Sequence, residues 1–211
     1  MTSGTGKFIT LEGGEGAGKT TCMAHVRQCL GDAGIRFIET REPGGTPVAE
    51  KIRDLLLDKT NTDIQADAEL LLMFAARSQH LDELIRPALQ RGDWVLCDRF
   101  TDATHAYQGG GRGISHDRIS DLEHWTQKGL KPDLTLLLDL PVETGLERAG
   151  QRSTPDRFES ESIQFMERTR GAYREIAASE PQRVKVIDAS LPLDDVVAQI
   201  DRVMNDFLSH D

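Results

Sequence analysis

Gly13-Gly14-Glu15-Gly16-Ala17-Gly18-Lys19-Thr20 carries the clearest chemical instruction in the 211 residues of this chain. It satisfies G-x-x-x-x-G-K-[ST] at every fixed position. Glycines let successive backbone N–H groups turn inward onto phosphate oxygens, a helix beginning near Lys19 adds its positive end, and the lysine bridges the outer phosphates. Thr20 can place its hydroxyl on Mg²⁺, and Thr21 ends the run, Gly13 to Thr21, expected to touch the nucleotide. A phosphate loop alone does not choose among motor, switch and kinase. N-K-x-D, the guanine-reading device of P-loop GTPases, is missing from the sequence. Glu15 is out of place by charge, because a carboxylate in an anion site should repel phosphate.

The elements that must position this loop follow from periodicity. Phe8-Ile9-Thr10-Leu11 is a strand candidate that leads into it, and Cys22, Met23, Val26, Cys29 and Leu30 keep helical spacing after it. Ile35 to Glu39 predicts a second strand, and Thr46-Pro47 is a helix start with a capping hydroxyl and proline at the first position. A helix is expected from about Ala66 to Gln90, with Pro87 kinking or shortening its end. Its run Leu70 to Ala76 covers every helix face, so it is either buried all round or paired with another subunit. Trp94 to Cys97, Leu134 to Leu140 and Val184 to Ile187 predict three more strands, and Pro192 to Leu208 a last amphipathic helix. Near-continuous apolar strands alternating with helices specify a doubly wound α/β domain, a five-stranded parallel sheet with helices on both faces, its ligands beyond the carboxyl ends of the strands.

Composition narrows the partners. Lys+Arg number 25 against 35 Asp+Glu, a net charge of −10, which argues against a sequence-independent nucleic-acid binder while leaving room for a local basic pocket. No stretch approaches the roughly 18–20 apolar residues that cross a bilayer, so no membrane partner is expected. Cys22 and Cys29 would lie about 10 Å apart along one helix, too far for a disulfide. With Cys97 in an apolar run, the cysteines predict reduced packing thiols and a cytoplasmic location.

Further segments occur in a telling order. Thr40-Arg41-Glu42-Pro43-Gly44-Gly45-Thr46 follows the second strand; then come Phe74-Ala75-Ala76-Arg77 with His80, Asp98-Arg99-Phe100, and Ala106-Tyr107-Gln108-Gly109-Gly110-Gly111-Arg112-Gly113. From Phe8 to about Ala177 their order and spacing closely resemble the thymidylate kinase family, which makes dTDP from dTMP and ATP. The resemblance implies a P-loop nucleoside monophosphate kinase-like fold, one domain over residues 1–211 with a lid at about 148–159, ATP held by Gly13 to Thr21, Mg²⁺, and a homodimer.

The family's reaction assigns the remaining residues. Phosphoryl transfer to a monophosphate dianion needs cations and positioning rather than a general base. By resemblance Arg99 holds the dTMP phosphate near the ATP γ-phosphate, and Glu15 orients that guanidinium. Asp98 either orients Mg²⁺ and its waters or merely caps a turn at a strand end. Arg77 is expected to donate to thymine O4, and Gln108 to accept from N3–H, which together disfavour cytosine. Phe74 is the predicted stacking ring; the register common in relatives would put Met73 there instead. Thr104 matches a polar residue near the base, Tyr107 the aromatic beneath C2′, and Glu42 and Arg53 the monophosphate side. Arg148, Arg152 and Arg157 fall in a Gly-, Ser-, Thr- and Pro-bearing segment, as a mobile lid would. In one branch of the family an acidic P-loop goes with a catalytic lid arginine, and Glu15 with Arg152 fits it. The expected catalytic set is therefore Lys19, Arg99, Arg152 and Glu15, with Arg148 and Arg157 sharing ATP. Two rivals remain: a deoxynucleoside kinase, which would need Glu12 or Glu15 as base, and a nucleotide-dependent switch or partition-type ATPase.

Overall fold

The computed structural model describes residues 5–150, 157–158 and 160–209. Five strands, β1 (Phe8–Gly13), β2 (Phe37–Arg41), β3 (Trp94–Asp98), β4 (Leu134–Asp139) and β5 (Val184–Asp188), form one parallel sheet in the order β2-β3-β1-β4-β5. Central β1 is buried along its whole length, with Ile9 opposite Leu96 on one side and Leu134 on the other. Burial on both faces explains why these strands are apolar throughout rather than alternating. Ile9, Leu11, Leu96 and Leu136 pack with Val26 and Leu30 of α1 (Lys19–Asp32) and with Ile200 and Met204 of α9 (Leu193–Ser209). The opposite face carries Phe8, Val95 and Phe100 against Leu81 and Ile85, and Leu137 against Phe165 and Tyr173 of α8 (Ile163–Ser179). Where β1 meets β4, the hydroxyls of Thr10 and Thr135 satisfy each other at 2.7 Å.

α2 (Pro47–Leu57) starts at the expected Thr46-Pro47. The predicted long helix is α3 (Ala66–His80), a π-helical turn over Leu81–Ile85, and α4 (Arg86–Gln90). A proline ring crowds the carbonyl four residues back and brings no N–H, and the widened turn just before Pro87 gives it room. Leu70, Phe74 and Ala76 of α3 are buried, but Leu71 is 57% exposed, so one subunit does not bury this helix all round.

Three helical stretches carried no clear sequence signal: α5 (Thr101–Thr104) with its π-helical continuation His105–Gly111, α6 (His116–Gln127), and α8. Gly109 to Gly111 suggests a loop, yet it is helical because α8 crosses it closely. A Cβ on Gly110 would stand 2.7 Å from the Cα-attached methyl of Ala172. α7 (Val142–Ala149) follows β4. Among the described residues no helix is long and apolar enough to cross a membrane. The three cysteines are free, as expected.

Candidate active site

The loop between β1 and α1 wraps the carboxyl end of β1. Gly16 takes φ 69°, and a Cβ there would run into the Gly145 carbonyl, so only glycine lets the loop close. Lys19 Nζ donates to the carbonyls of Gly13 and Gly14, both at 3.1 Å, which draws its ammonium over the mouth of the loop. Burial, reinforced by the neighbouring Arg99 charge, lowers the Lys19 pKa. Thr20 and Thr21 stand exposed in the first turn of α1.

Beside the loop opens a cavity of about 670 Å³ whose walls come from distant stretches of chain. Of the residues predicted for the acceptor, Glu15, Glu42, Arg53, Arg77, Arg99, Thr104, Tyr107 and Gln108 all line it. Arg99 sits just past β3 with φ 69°, a left-handed conformation unusual for a side-chain-bearing residue. There its guanidinium donates to Glu15 Oε1 at 2.9 Å and to the Tyr173 hydroxyl at 3.3 Å, and lies 4.8 Å from the Tyr107 ring centre. The Tyr107 hydroxyl also donates to Glu15 Oε1, at 3.1 Å. Burial pushes the Tyr107 and Tyr173 hydroxyls up, so both remain protonated donors. Glu15 thus faces the arginine and the tyrosine, which removes the apparent conflict between an acid and a phosphate loop.

The far wall is a buried polar network. Arg77, 3% exposed, donates through Nε to Glu42 at 2.7 Å and through one terminal nitrogen to Thr104 Oγ1 at 2.9 Å and the Phe100 carbonyl at 3.1 Å. Its other terminal nitrogen is buried without a partner. Glu42 also contacts His80 Nδ1 at 3.0 Å; burial would raise its carboxyl, but Arg77 and His80 outweigh that and hold it low. Glu42 thus lines the cavity with both carboxylate oxygens hydrogen-bonded, and both it and Thr104 hold Arg77. Gln108 donates its amide N–H to Glu69 Oε1 at 2.9 Å, and its carbonyl oxygen has no partner among the described residues. Arg53 donates to the Pro43 carbonyl at 2.7 Å and lines the cavity together with Arg99.

Phe74 is a correction. It lies in an apolar cluster with Leu70, Ile114 and Ile119, its ring 4.9 Å under the Arg77 guanidinium, while Met73 lines the cavity. Successive helical residues point about 100° apart, so a one-residue change of register exchanges wall for core.

Arg157 and Arg148, expected to share ATP, are each held by protein partners here. Arg157 donates to Glu69 Oε2 at 2.6 Å and to the Leu56 carbonyl at 2.8 Å, drawn there by a fully buried carboxylate. Arg148 donates to the carbonyls of Ala189 at 2.7 Å and Ser190 at 3.3 Å, just past β5. Arg152 and most of the predicted lid lie outside the described residues.

Glu69, which sequence reasoning did not single out, holds one of the cavity-lining residues, Gln108. It is 0% exposed and accepts from Gln108, Arg112 and Arg157; these donors outweigh burial and lower its pKa. An acid in the first turn of α3 looks in sequence like an ordinary complement to the helix dipole. Phe158 was missed as well; it lines the cavity, its ring edge-on to Tyr107 at 5.9 Å.

Asp98 and Thr20 supply the hard oxygen donors a magnesium ion takes. Asp98 Oδ1 is buried with no hydrogen-bond partner, as an oxygen awaiting a cation would be, so the residues present fit such an ion. Glu12 by contrast is fully buried, accepts from Phe100 N–H and the Tyr173 hydroxyl at 2.7 Å each, and lines no part of the cavity.

A parallel sheet in this order, a phosphate loop after its central strand and a second, arginine-bearing cavity facing that loop define a P-loop nucleoside monophosphate kinase-like protein. Comparison with known families narrows the class. Residues 11–200 match the family described as thymidylate kinase, to which the chain belongs. It is 55% identical over 204 residues to a thymidylate kinase of Pseudomonas syringae pv. tomato, covering 97% of each chain. Thymidylate kinases of Ectopseudomonas mendocina, 55% identical over 97% of each chain, and Alkalilimnicola ehrlichii, 54% identical over 94% of this chain and 92% of that one, are similarly related.

Proposed function

We propose that the chain transfers the γ-phosphoryl group of ATP to dTMP, giving ADP and dTDP for dTTP synthesis. One observation carries this reading. Arg77 and Gln108 both line the cavity; one terminal nitrogen of Arg77 has no protein partner, and Gln108, which gives an amide N–H to Glu69, keeps its carbonyl oxygen as an acceptor. Thymine offers an acceptor at O4 and a donor at N3–H, the complement of that pair. Cytosine offers the reverse and would leave both protein groups facing their own kind.

The reaction needs no protein base, since the acceptor phosphate is already an anionic nucleophile. Of the two alternative bases for a neutral hydroxyl acceptor, Glu12 is sealed from the cavity and Glu15 is engaged by Arg99 and the Tyr107 hydroxyl, which disfavours a deoxynucleoside kinase. Arg99 and Arg53 grip the dTMP phosphate, and Lys19 with the loop amides grips ATP, so the two anions meet in line. Thr20 and Asp98 would hold Mg²⁺, which when bound would neutralise part of the phosphate charge. Glu15 fixes the Arg99 guanidinium and the Tyr107 hydroxyl, and the Tyr107 ring then stands where a ribose 2′-OH would lie. Met73 packs on the base. Arg152 is assigned the transition-state charge of the transferring group, with Arg148 and Arg157 joining it from the lid on closure. Exposed Val48 and Leu55 on α2, Leu71 on α3 and Trp125 on α6 support a homodimer, and a cytoplasmic single-domain enzyme fits the whole.

The test is ADP release measured with dTMP, dUMP, dCMP, AMP, GMP and thymidine in turn. Stimulation by dTMP far above dCMP and thymidine is expected. Equal release with and without any acceptor would overturn the proposal in favour of an ATPase.

A further inference from the structure

The geometry points to a second metal site, of the zinc class, between α1 and α9, formed by His25, Cys29 and Asp201. His25 and Cys29 stand one turn apart on α1 and so project from one face of that helix. Asp201 reaches them from α9. The three donor atoms converge: Cys29 Sγ lies 3.7 Å from His25 Nε2 and 3.7 Å from Asp201 Oδ1, and those two atoms are 2.6 Å apart. Among the described residues this is the group of three His, Cys or acidic side chains close enough to share an ion.

Distance decides what ion fits. A tetrahedral zinc with Zn–S near 2.3 Å and Zn–N or Zn–O near 2.0–2.1 Å sets its sulfur about 3.6 Å, and its N and O about 3.3 Å, from one another. The sulfur is therefore already in place. Only the His25–Asp201 hydrogen bond must widen, by roughly 0.7 Å, as the metal takes the place of the shared proton. Binding also releases the Cys29 thiol proton to solvent, so a thiolate–zinc bond replaces S–H, while the single ring proton of neutral His25 moves through solvent from Nε2 to Nδ1 and frees Nε2 for the metal. Asp32, three residues beyond Cys29, adds negative potential.

The scaffold is rigid beneath and open above. Val26, Leu30, Ile200 and Met204 are buried under the site, whereas the Asp201 side chain is 45% exposed, which leaves the fourth position to water. Cys22 and Cys97 are buried at 2% and 0% exposure, so Cys29 is the accessible thiol. A thiolate ligand favours zinc, cobalt or cadmium and rejects the magnesium that phosphoryl transfer uses. Occupancy would tie the carboxyl-terminal helix to the helix that carries Lys19.

Titration of the untagged, chelator-stripped full-length protein with Co²⁺, followed by Zn²⁺, tests the site. Expected is one tight Co²⁺ with a thiolate-to-cobalt charge-transfer band in the near ultraviolet, bleached by Zn²⁺. Free Zn²⁺ about a hundredfold above its Kd should raise Tm by roughly 5–10 °C. Cys29→Ser should abolish the band and most of that shift, and Asp201→Asn should weaken binding about tenfold or more. Both changes nearly conserve shape, and the metal-free Tm of each reports its folding; His25→Gln gives the same test should Cys29→Ser fail to fold. The nearby-in-kind pair His105 and His116, whose Nδ1 atoms are 3.1 Å apart, would bind cobalt without that band. Absence of the band, or an equal Zn²⁺ shift in the parent and Cys29→Ser, overturns the proposal.

Discussion

The two halves of the cleft are built in opposite ways. The phosphate cradle is one contiguous run, Gly13 to Thr21, that acts mainly through its backbone and the end of α1. The acceptor cavity takes single side chains from the phosphate loop, the loop after β2, α3, the end of β3, the π-helical turn and Phe158. A backbone cradle recognises phosphate whatever nucleoside is attached. A wall of side chains recognises one base, but only while each is held by others: Arg77 by Glu42 and Thr104, Gln108 by Glu69, Arg99 by Glu15 and Tyr173. Changes in the cradle should therefore alter turnover alike for every acceptor, and changes in the wall should alter the ranking of acceptors.

The largest effects are expected where the two halves meet. Lys19→Met should lower kcat by about 10²–10³-fold with every monophosphate while leaving the order of acceptors unchanged. Arg99→Ala should lower kcat/KM for dTMP by about 10³-fold, by losing both phosphate grip and transition-state charge. Steady-state kinetics across the monophosphate panel reads both. A changed acceptor order in Lys19→Met would break the division between cradle and wall. Next comes Arg77→Met, which leaves Glu42 with His80 alone and O4 without a donor; the dTMP-over-dCMP ratio of kcat/KM should drop about 10–10²-fold, with KM for ATP little changed.

Glu69 sharpens the comparison, because it touches neither phosphate nor, by this reading, the base. Glu69→Gln keeps the volume but replaces one acceptor by an N–H donor, so either Gln108 or an arginine loses its partner. The dTMP-over-dCMP ratio is expected to fall several-fold, about 1 kcal/mol of discrimination, at nearly constant kcat. A purely structural role would lower Tm and leave that ratio alone.

Legibility in the sequence followed the same division. The cradle, the five strands and α1, α2 and α9 were all visible, because each is a local pattern: fixed spacing, a continuous apolar run, or a single amphipathic face. The family resemblance supplied Arg77, Arg99, Tyr107 and Gln108 as single positions, and all four line one cavity. What stayed hidden depends on contacts between distant segments. Met73 and Phe74 differ by one residue of helical register, which the packing of Phe74 on Ile114 and Ile119 decides. Gly109 to Gly111 is helical because α8 crosses it, a fact recorded some sixty residues later in the chain. Arg157 turned toward Glu69 rather than the phosphate loop, since a buried carboxylate on α3 offered the stronger partner.

The smallest expected effect on turnover falls between the halves, at Glu12, where the change is in stability. Burial, with the nearby Asp102 carboxylate adding to it, pushes its carboxyl from the ordinary value of 4.5 up to about 8. A carboxyl whose pKa is raised by folding binds more protons in the folded chain than in the unfolded one. Its contribution is therefore most favourable at or below the unfolded value near 4.5, declines as pH rises, and levels off beyond about 8. Glu12→Gln cannot ionise and presents one acceptor and one donor, as the protonated acid does, to Phe100 N–H and the Tyr173 hydroxyl. Thermal unfolding of parent and variant across that range should show the parent losing stability relative to Glu12→Gln as pH rises, with the acceptor order of the variant intact. Parallel curves would mean that Glu12 is ionised in the folded chain. The Tyr173–Arg99 contact would then rest on a buried charge, and base selection and phosphate grip would be coupled through the floor of the cleft rather than built as separate halves.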